Sequence, residues 1–389
     1  MSSSTKKSLF FLIYVTSFLY AFQYALPLYI QSSFITQFLP TREMVGIIFT
    51  IAALFTTTLT FLFPYFLRKF GNYLCLLTFM GFQIVSLLVL GLSLNPYLVI
   101  SFFIINQVLV GLMFVSLDEF VESFSEDSST GKTRAVFMTI INIGIALAPL
   151  LASFLITNDG FKKIFLLAAV CMTLGFLIIL KNFRNYKDPK YSIPSFTKTL
   201  HAIIENRDLH AVIYMHFLLS FFYTWMVIYT PIYLNIKMNI PLRDILMIIT
   251  PIALLPFILF EFILGKIADT KLGEKELLFC GFFITGITTA GLYLINTTSI
   301  LLWAGALFFT RVGACMIEVM TEAYFYKKVD STQPNIISFM RTVRASAYII
   351  APLLGSLILL NLPYRYLFLI LGIIMFTSLP YILKIQDTK

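Results

Sequence analysis

Charged residues are scarce in this sequence. Asp, Glu, Lys and Arg make up 12% of its 389 residues and apolar residues 59%, whereas soluble domains average about 25% charged and about 45 to 50% apolar residues. Such a chain cannot cover a folded surface with groups that water solvates, which excludes a soluble globular protein. We therefore expect the chain to lie in a lipid bilayer.

Cysteine and histidine are also few, with 4 Cys and 3 His. The cysteines all lie inside apolar runs and form no CxxC pair, which argues against a disulfide framework or a metal site. A phosphate-binding GxxxxGK loop followed by Ser or Thr does not occur, so direct ATP hydrolysis is not supported. We expect no cofactor, no metal and no enzyme activity.

Long apolar runs are present instead. Runs such as 9–30 and 245–263 are apolar on every side, unlike the alternating segments of about ten residues in a transmembrane barrel. A helix needs about 20 such residues to cross the bilayer. The sequence thus predicts an all-α membrane protein with twelve transmembrane helices, at 8–30, 44–66, 73–94, 97–121, 134–157, 162–183, 211–235, 243–266, 276–296, 299–325, 335–360 and 364–384.

The distribution of Lys and Arg predicts the orientation. With the N-terminus inside, 21 of the 28 basic residues lie in inner segments, six in outer segments, and Arg311 inside a span. Cytoplasmic segments carry such an excess. We expect a multi-pass protein of the plasma (cytoplasmic) membrane with both termini cytoplasmic. The same bias accounts for the net charge of +9, so no nucleic-acid partner is expected.

The chain shows an internal repeat. Residues 146–156 (ALAPLLASFLI) match 349–359 (IIAPLLGSLIL), and 22–30 match 226–234. Each match places span n on span n+6 in the same direction, a pattern typical of transporters whose substrate site lies between two halves at the bilayer midplane. A basic connection that carries an expected short interfacial helix separates the halves. The predicted division is an N-terminal six-helix half (1–183), a cytoplasmic linker (184–209) and a C-terminal six-helix half (210–389).

Two inner loops carry a family resemblance. The loop 265–275 (GKIADTKLGEK) resembles motif A of the major facilitator superfamily, with one extra residue before the second glycine. The corresponding loop 64–71 keeps the basic residue and the glycine but has Arg68 where that family has aspartate. The resemblance implies two pseudo-symmetric six-helix halves. It also implies that Asp269 forms gating ion pairs at the inner helix ends.

Span 5 carries a second motif of the same family. Gly144 and Pro149, with small residues after them, resemble motif C of the drug/proton antiporter branch, although alanines replace two glycines. The resemblance implies proton-coupled export. Small residues and proline also permit close helix packing by themselves, and this alternative stays open.

Several charged residues lie inside the predicted spans. Arg311 lies at the middle of span 10, and ionisable residues at that depth are functional-site hypotheses. We expect it to bind an anionic or strongly polar group of the substrate, or to tune a carboxylate that carries the coupled proton. The alternative is that it extends toward Glu318 or bonds backbone carbonyls. Glu261 and Glu318 lie roughly 10 Å further inward, near the depth of Arg341 and Arg344, which predicts a gating or structural ion-pair network.

Three acids end span 4 at the inner surface. Asp118, Glu119 and Glu122 lie near Arg68 and Arg134 in the predicted topology. We expect these acids to supply the negative partner that the first motif A-like loop lacks, as part of coupling or gating. A solvated rim of charges is the alternative.

Polar residues on spans 1, 4 and 7 form stripes at helical spacing, with Tyr223 beside the stripe of span 7. In the resembled family, spans 1, 4, 7 and 10 line the central cavity. The predicted substrate-binding residues are Tyr20, Gln23, Tyr24, Gln107, Thr224 and Arg311.

The sequence thus predicts a secondary active transporter of a small molecule, monomeric, working by alternating access and driven by protons. The motif C resemblance favours efflux by antiport, and an uptake symporter of a polar or anionic solute is the alternative. A polytopic membrane enzyme acting on lipid-linked substrates is the alternative of a different class. Such an enzyme would be expected to place acids or histidines on a sizeable surface loop.

Overall fold

The computed structural model describes residues 3–41, 43–124, 130–156, 160–184, 188, 203, 205–270, 272–328 and 334–386. Most of the predicted interfacial helix of the linker lies outside these ranges. The side chains of four residues predicted to act in coupling or gating also lie outside the described part of the chain: Glu122, Arg134, Asp269 and Arg341.

Twelve membrane helices are labelled α1 to α12, in the order of the predicted spans. A short helix, Gln31–Thr36, follows the first. The helices are α1 Ser3–Leu28, α2 Met44–Phe70, α3 Asn72–Leu92, α4 Pro96–Phe124, α5 Thr130–Leu155, α6 Lys162–Asn182, α7 Arg207–Ile232 with a π-helical turn Tyr233–Lys237, α8 in pieces Leu242–Asp244, Ile245–Ile249, Thr250–Leu259 and Glu261–Thr270, α9 Glu274–Gly291 with a 3-10 turn Leu292–Leu294, α10 Ile300–Lys328, α11 Pro334–Leu359, and α12 in pieces Tyr366–Phe376 and Leu379–Lys384.

Length and composition make these helices membrane-spanning. Among the described residues, ten helices are long and apolar enough to cross a bilayer, and α5 and α11 contribute shorter apolar stretches, Thr139–Leu155 and Val343–Leu359. Many large apolar side chains are exposed on the protein, among them Phe154, Ile258 and Leu301. In a bilayer these side chains face lipid. The predicted all-α fold with twelve transmembrane helices is confirmed.

Local sequence signals set several helix ends. Gly71 has a φ of 76° between α2 and α3, a conformation that glycine adopts without strain. The side chain of Asn206 caps α7, accepting hydrogen bonds from the backbone N–H groups of Asp208 and Leu209 at 3.1 Å each. In α8, Pro251 and Pro256 lack the N–H that a continuous helix would use.

The chain divides into two compact units. The first comprises Met1–Arg42 and Ile51–Ile193, and the second comprises Glu43–Thr50 and Pro194–Lys389. In the second unit, the beginning of α2 packs on α7 and α11, where the Ser356 hydroxyl donates to the Glu43 carbonyl at 2.5 Å.

Equivalent helices pack together in the two units. In the first unit α1 packs on α5, α3 on α4, and α3 on α6; in the second, α7 packs on α11, α9 on α10, and α9 on α12. Each pair in the second unit is the corresponding pair of the first with six added to both helix numbers. The repeat predicted from the sequence therefore appears as pseudo-symmetric packing.

The motif C-like segment takes part in one of these contacts. A Cβ at Gly144 would lie 3.0 Å from the Cβ of Ala21 and 3.2 Å from the backbone nitrogen of Phe22. Glycine thus allows α5 to approach the α1 backbone closely. The packing role of this segment is visible, and its role in coupling stays a prediction.

Candidate functional site

Arg311 lies on the face of α10 that is turned toward α7. Two residues further along α10, on the opposite face, Gly313 packs on Gly281 and Thr285 of α9 with no space for a side chain. Since residues two apart point about 200° apart on a helix, this contact turns Arg311 away from α9. Its side chain is 8% exposed, and its guanidinium carbon lies 4.9 Å from the centre of the Phe222 ring of α7. A cation held over an aromatic face is attracted by the ring quadrupole.

Glu318 lies two turns along the same helix and also contacts α7. The Tyr223 hydroxyl donates a hydrogen bond of 2.7 Å to Glu318 Oε2. Phe222 was not among the predicted residues, and Tyr223 was predicted only as a neighbour of the polar stripe on span 7. Their contacts with charged residues of α10 depend on how α7 is turned against α10, which the sequence does not show.

Further charged groups surround Glu318. Glu261 of α8 and Glu322 of α10 are close enough to Glu318 to interact with it electrostatically. Arg344 of α11 interacts electrostatically with Glu322 and with His216 of α7. The structure thus brings groups from α7, α8, α10 and α11 together. The specific ion pairs predicted for Glu261 and Glu318 with Arg341 and Arg344 stay predictions.

Thr224 follows Tyr223 on α7 and is buried. Its hydroxyl donates to the carbonyl of Ser220 at 2.8 Å, a bond within the helix that commonly bends it. Beyond this turn, the rings of Trp225 and Tyr229 lie 5.7 Å apart, and the Tyr229 hydroxyl donates to the Pro352 carbonyl of α11 at 2.6 Å. The C-terminal part of α7 is therefore fixed to α11.

Predicted binding residues of the first unit take part in contacts among α1, α3 and α4. The Tyr20 hydroxyl donates to the Val110 carbonyl at 2.8 Å and so joins α1 to α4. Gln23 is fully buried, and its Oε1 accepts from Gln83 of α3 at 3.4 Å. Tyr24 is half-buried.

Gln107 contacts the short helix that follows α1. Its side-chain amide donates to Gln31 Oε1 at 2.6 Å. Gln31 and Gln83 are buried amides that the sequence analysis missed. For Gln83 the available signal was a lone amide in an apolar run, and for Gln31 an amide followed by two serines. Neither pattern reveals the partner of the amide.

An acid from the linker lies at the first motif A-like loop. Asp188 Oδ1 accepts from the backbone N–H of Asn72, the first residue of α3, at 2.6 Å, and a Cβ at Gly71 would meet the same carboxylate. An anion is stabilised by the positive end of the helix dipole. Asp188 was not predicted for this place. Arg68 is exposed and Asp118 buried, and the predicted role of Asp118 as its acidic partner stays a prediction.

The second motif A-like loop is connected to the end of the chain. Lys275 donates to the carbonyls of Leu383 and Ile385 at 3.1 and 3.0 Å, and the Tyr324 hydroxyl donates to the Gln386 carbonyl at 2.8 Å. Two ion pairs lie nearby, Lys327 with Glu274 and Lys328 with Asp208. These contacts connect α7, α9, α10 and the segment after α12 at one end of the second unit.

The family follows from a sequence comparison that covers almost the whole chain. The model of the Major Facilitator Superfamily matches residues 10–314 and 244–388. The chain belongs to the Major Facilitator Superfamily. It is therefore a multi-pass membrane transporter of small molecules, as predicted.

Solved structures of the superfamily share the fold. The crystal structure of the nucleoside transporter NupG has a TM-score of 0.75 at 11% identity and covers 97% of this chain and 100% of its own. A point mutant of NupG has a TM-score of 0.76 at 11% identity, with coverages of 96% and 99%. A search among curated proteins gives no significant match. At this identity the likeness to NupG shows the fold alone.

Proposed function

We propose that this superfamily member is a proton-coupled secondary transporter that works by alternating access on a small molecule with an anionic or strongly polar group. The observation that carries the proposal is buried Arg311 in the middle of α10, held over Phe222 and two turns from Glu318. A charged residue near the bilayer centre costs about 2.5 to 3.5 kcal/mol or more. Because of this cost, a charged residue near the bilayer centre indicates a function.

Arginine suits the proposed substrate. Its planar guanidinium presents a fork of donors that matches carboxylate and phosphate groups. Neutral polar parts of the substrate would be recognised by hydroxyl and amide groups. We propose that contacts of this kind are made by Tyr20, Gln23, Tyr24, Gln107 and Thr224.

Glu318 is the proposed proton carrier. Glu261 and Glu322 lie within electrostatic reach of it, and carboxylates this close disfavour simultaneous ionisation. Proton uptake by one of them relieves this repulsion. The proposed gating residues are Arg68, Asp118, Glu122, Arg134, Glu261, Asp269, Arg341 and Arg344.

For the direction of transport we propose export by proton antiport. Support comes from the resemblance of the segment at Gly144 and Pro149 to motif C of the drug/proton antiporter branch. Uptake by symport is the second candidate, since the same site could load substrate and proton together. The proposed setting is the plasma membrane, with both termini cytoplasmic and a monomeric protein.

Flux measurements on the purified protein in liposomes test this function. A pH gradient is imposed, and tracer movement is followed for organic anions, nucleosides, sugars and cationic dyes, with a pH-sensitive dye inside the vesicles. We expect proton movement coupled to an anionic or strongly polar solute, in the antiport direction. Proton flux with none of the solutes, together with turnover of an added lipid-linked substrate, would instead support a membrane enzyme.

A further inference from the structure

We infer that two adjacent residues of α7, Phe222 and Tyr223, connect the substrate step at Arg311 with the proton step at Glu318. The inference rests on the proposed function and adds a coupling route to it. Neither residue needs to bind substrate or carry the proton, so both are positioning residues.

One turn of α7 contacts two residues of α10 that have opposite charge. The Phe222 ring lies 4.9 Å from the Arg311 guanidinium carbon, and the Tyr223 hydroxyl lies 2.7 Å from Glu318 Oε2. Tyr223 is also within electrostatic reach of Arg311. Because Phe222 and Tyr223 are consecutive in one helix, a displacement of this turn moves both side chains.

Protonation of Glu318 changes one of these contacts. While the carboxylate is ionised, the Tyr223 hydroxyl donates to a full negative charge, and such bonds are roughly twice as strong as neutral ones. A proton bound to a carboxylate oxygen removes that charge, and the hydrogen bond weakens. The turn of α7 is then held less firmly against α10, and Phe222 is freed to move from the guanidinium face.

The coupling also operates in the other direction. A substrate anion bound to Arg311 partly neutralises the guanidinium charge that attracts the Phe222 ring. The position of this turn of α7 therefore responds to substrate as well. Two sites that bias the same element affect each other's affinity by the same factor. Substrate binding at Arg311 therefore changes the proton affinity of Glu318.

Further charged groups lie around Glu318 and interact with it or with its neighbours. Glu261 from α8 and Glu322 from α10 add negative charge, whereas Arg344 from α11 acts on Glu322 and on His216 of α7. Of the three carboxylates, Glu318 is the one that interacts with Tyr223 among the described residues. A proton on Glu261 or Glu322 relieves repulsion on Glu318 and favours its ionised form, so the proton that weakens the Tyr223 bond is the one bound to Glu318 itself.

The local structure of α7 permits such a displacement. The Thr224 hydroxyl bonds to the Ser220 carbonyl, which favours bending in the turn that carries Phe222 and Tyr223. Tyr229 fixes the helix to α11 beyond that turn. The displacement is therefore confined to the part of α7 that precedes Tyr229 in the sequence. This part contacts Arg311 and Glu318 of α10.

The test removes a single hydroxyl. Tyr223→Phe is reconstituted in liposomes with the labelled organic anion that the wild type transports fastest. Two rates are measured: exchange of labelled for unlabelled anion without a pH gradient, and net transport of the anion driven by a pH gradient. We expect exchange to fall by less than about threefold, as for one lost hydrogen bond, and gradient-driven transport to fall by about tenfold or more, as for lost coupling between sites.

The matched control is Tyr214→Phe. Tyr214 also lies on α7 and shares a hydrogen bond of 2.7 Å with Thr377 of α12, so the same chemical change is made away from the charged groups. Both rates should stay near those of the wild type. Equal losses of exchange and driven transport in Tyr223→Phe, or no loss in either, would overturn the inference.

A second variant separates this inference from the proposed function. Glu318→Gln removes the proposed proton carrier, so driven transport is lost and substrate exchange is the rate compared. Tyr223→Phe added to it should cause no further fall in exchange, because the charged acceptor of the Tyr223 hydroxyl is already gone. Additive losses would show that Tyr223 acts independently of Glu318. If wild-type protein transports substrate without moving protons, the proposed coupling itself is wrong, and the wild-type measurement alone reveals this.

Discussion

Arg311 illustrates how one residue can depend on two helices. Its side chain is directed away from α9 because the glycine contact of α9 occupies the opposite face of α10, and it lies over the Phe222 ring of α7. The depth of Arg311 in the span follows from its position in the sequence. The direction of its side chain follows from helix packing.

At the residue scale we predict that Arg311→Gln weakens substrate binding by about 10- to 100-fold, because a charge-assisted hydrogen bond contributes about 1.5 to 3 kcal/mol. Arg311→Lys should lose less, since it keeps the charge without the planar fork. Binding to the purified protein measures both. Arg365→Gln is the control, because Arg365 lies over the ring of Tyr293 at 5.0 Å, away from the proposed site. Unchanged binding in Arg311→Gln would contradict the assignment.

At the scale of helices, close approach depends on glycines that are not equivalent. Gly313 packs on Gly281 and Thr285 of α9 without space for a methyl group, whereas Gly305, on the same helix, has no such neighbour within 4 Å. The contact of Gly313 allows α9 and α10 to lie side by side and thereby sets the direction of Arg311.

These two glycines provide a matched pair of substitutions. Gly313→Ala should destabilise the protein by about 1 to 3 kcal/mol through overpacking, and Gly305→Ala should stabilise it by roughly 0.5 to 1 kcal/mol through higher helix propensity. Thermal unfolding of the detergent-solubilised protein measures both. A lower midpoint for Gly305→Ala than for Gly313→Ala would show that the α9–α10 contact does not depend on glycine.

At the scale of the whole molecule, the orientation is a prediction from charge. Most Lys and Arg residues lie at one end of the spans, and segments rich in them stay in the cytoplasm. A green fluorescent protein fused after Gln386 should therefore fluoresce, and alkaline phosphatase fused within the loop between α9 and α10, after Thr297, should be active. The reverse pattern would place both termini outside.

The sequence was sufficient for the features that depend on local composition. Span length, the twelve-helix count and the repeat follow from apolar runs and from similarity between segments such as 146–156 and 349–359, since the bilayer imposes length and hydrophobicity on each helix separately. The sequence alone also indicates a function for Arg311, because a charged residue in the middle of an apolar span is costly.

Only the tertiary structure decided which groups meet. Counting residues gives the depth of Glu318 in the membrane but not the direction in which it points, so its hydrogen bond with Tyr223 was not predicted. Likewise, Asp188 reaches Asn72 from 116 residues away in sequence. Depth depends on rise per residue along one helix, whereas contacts depend on how helices are rotated against each other, and that rotation is set by packing across the whole unit.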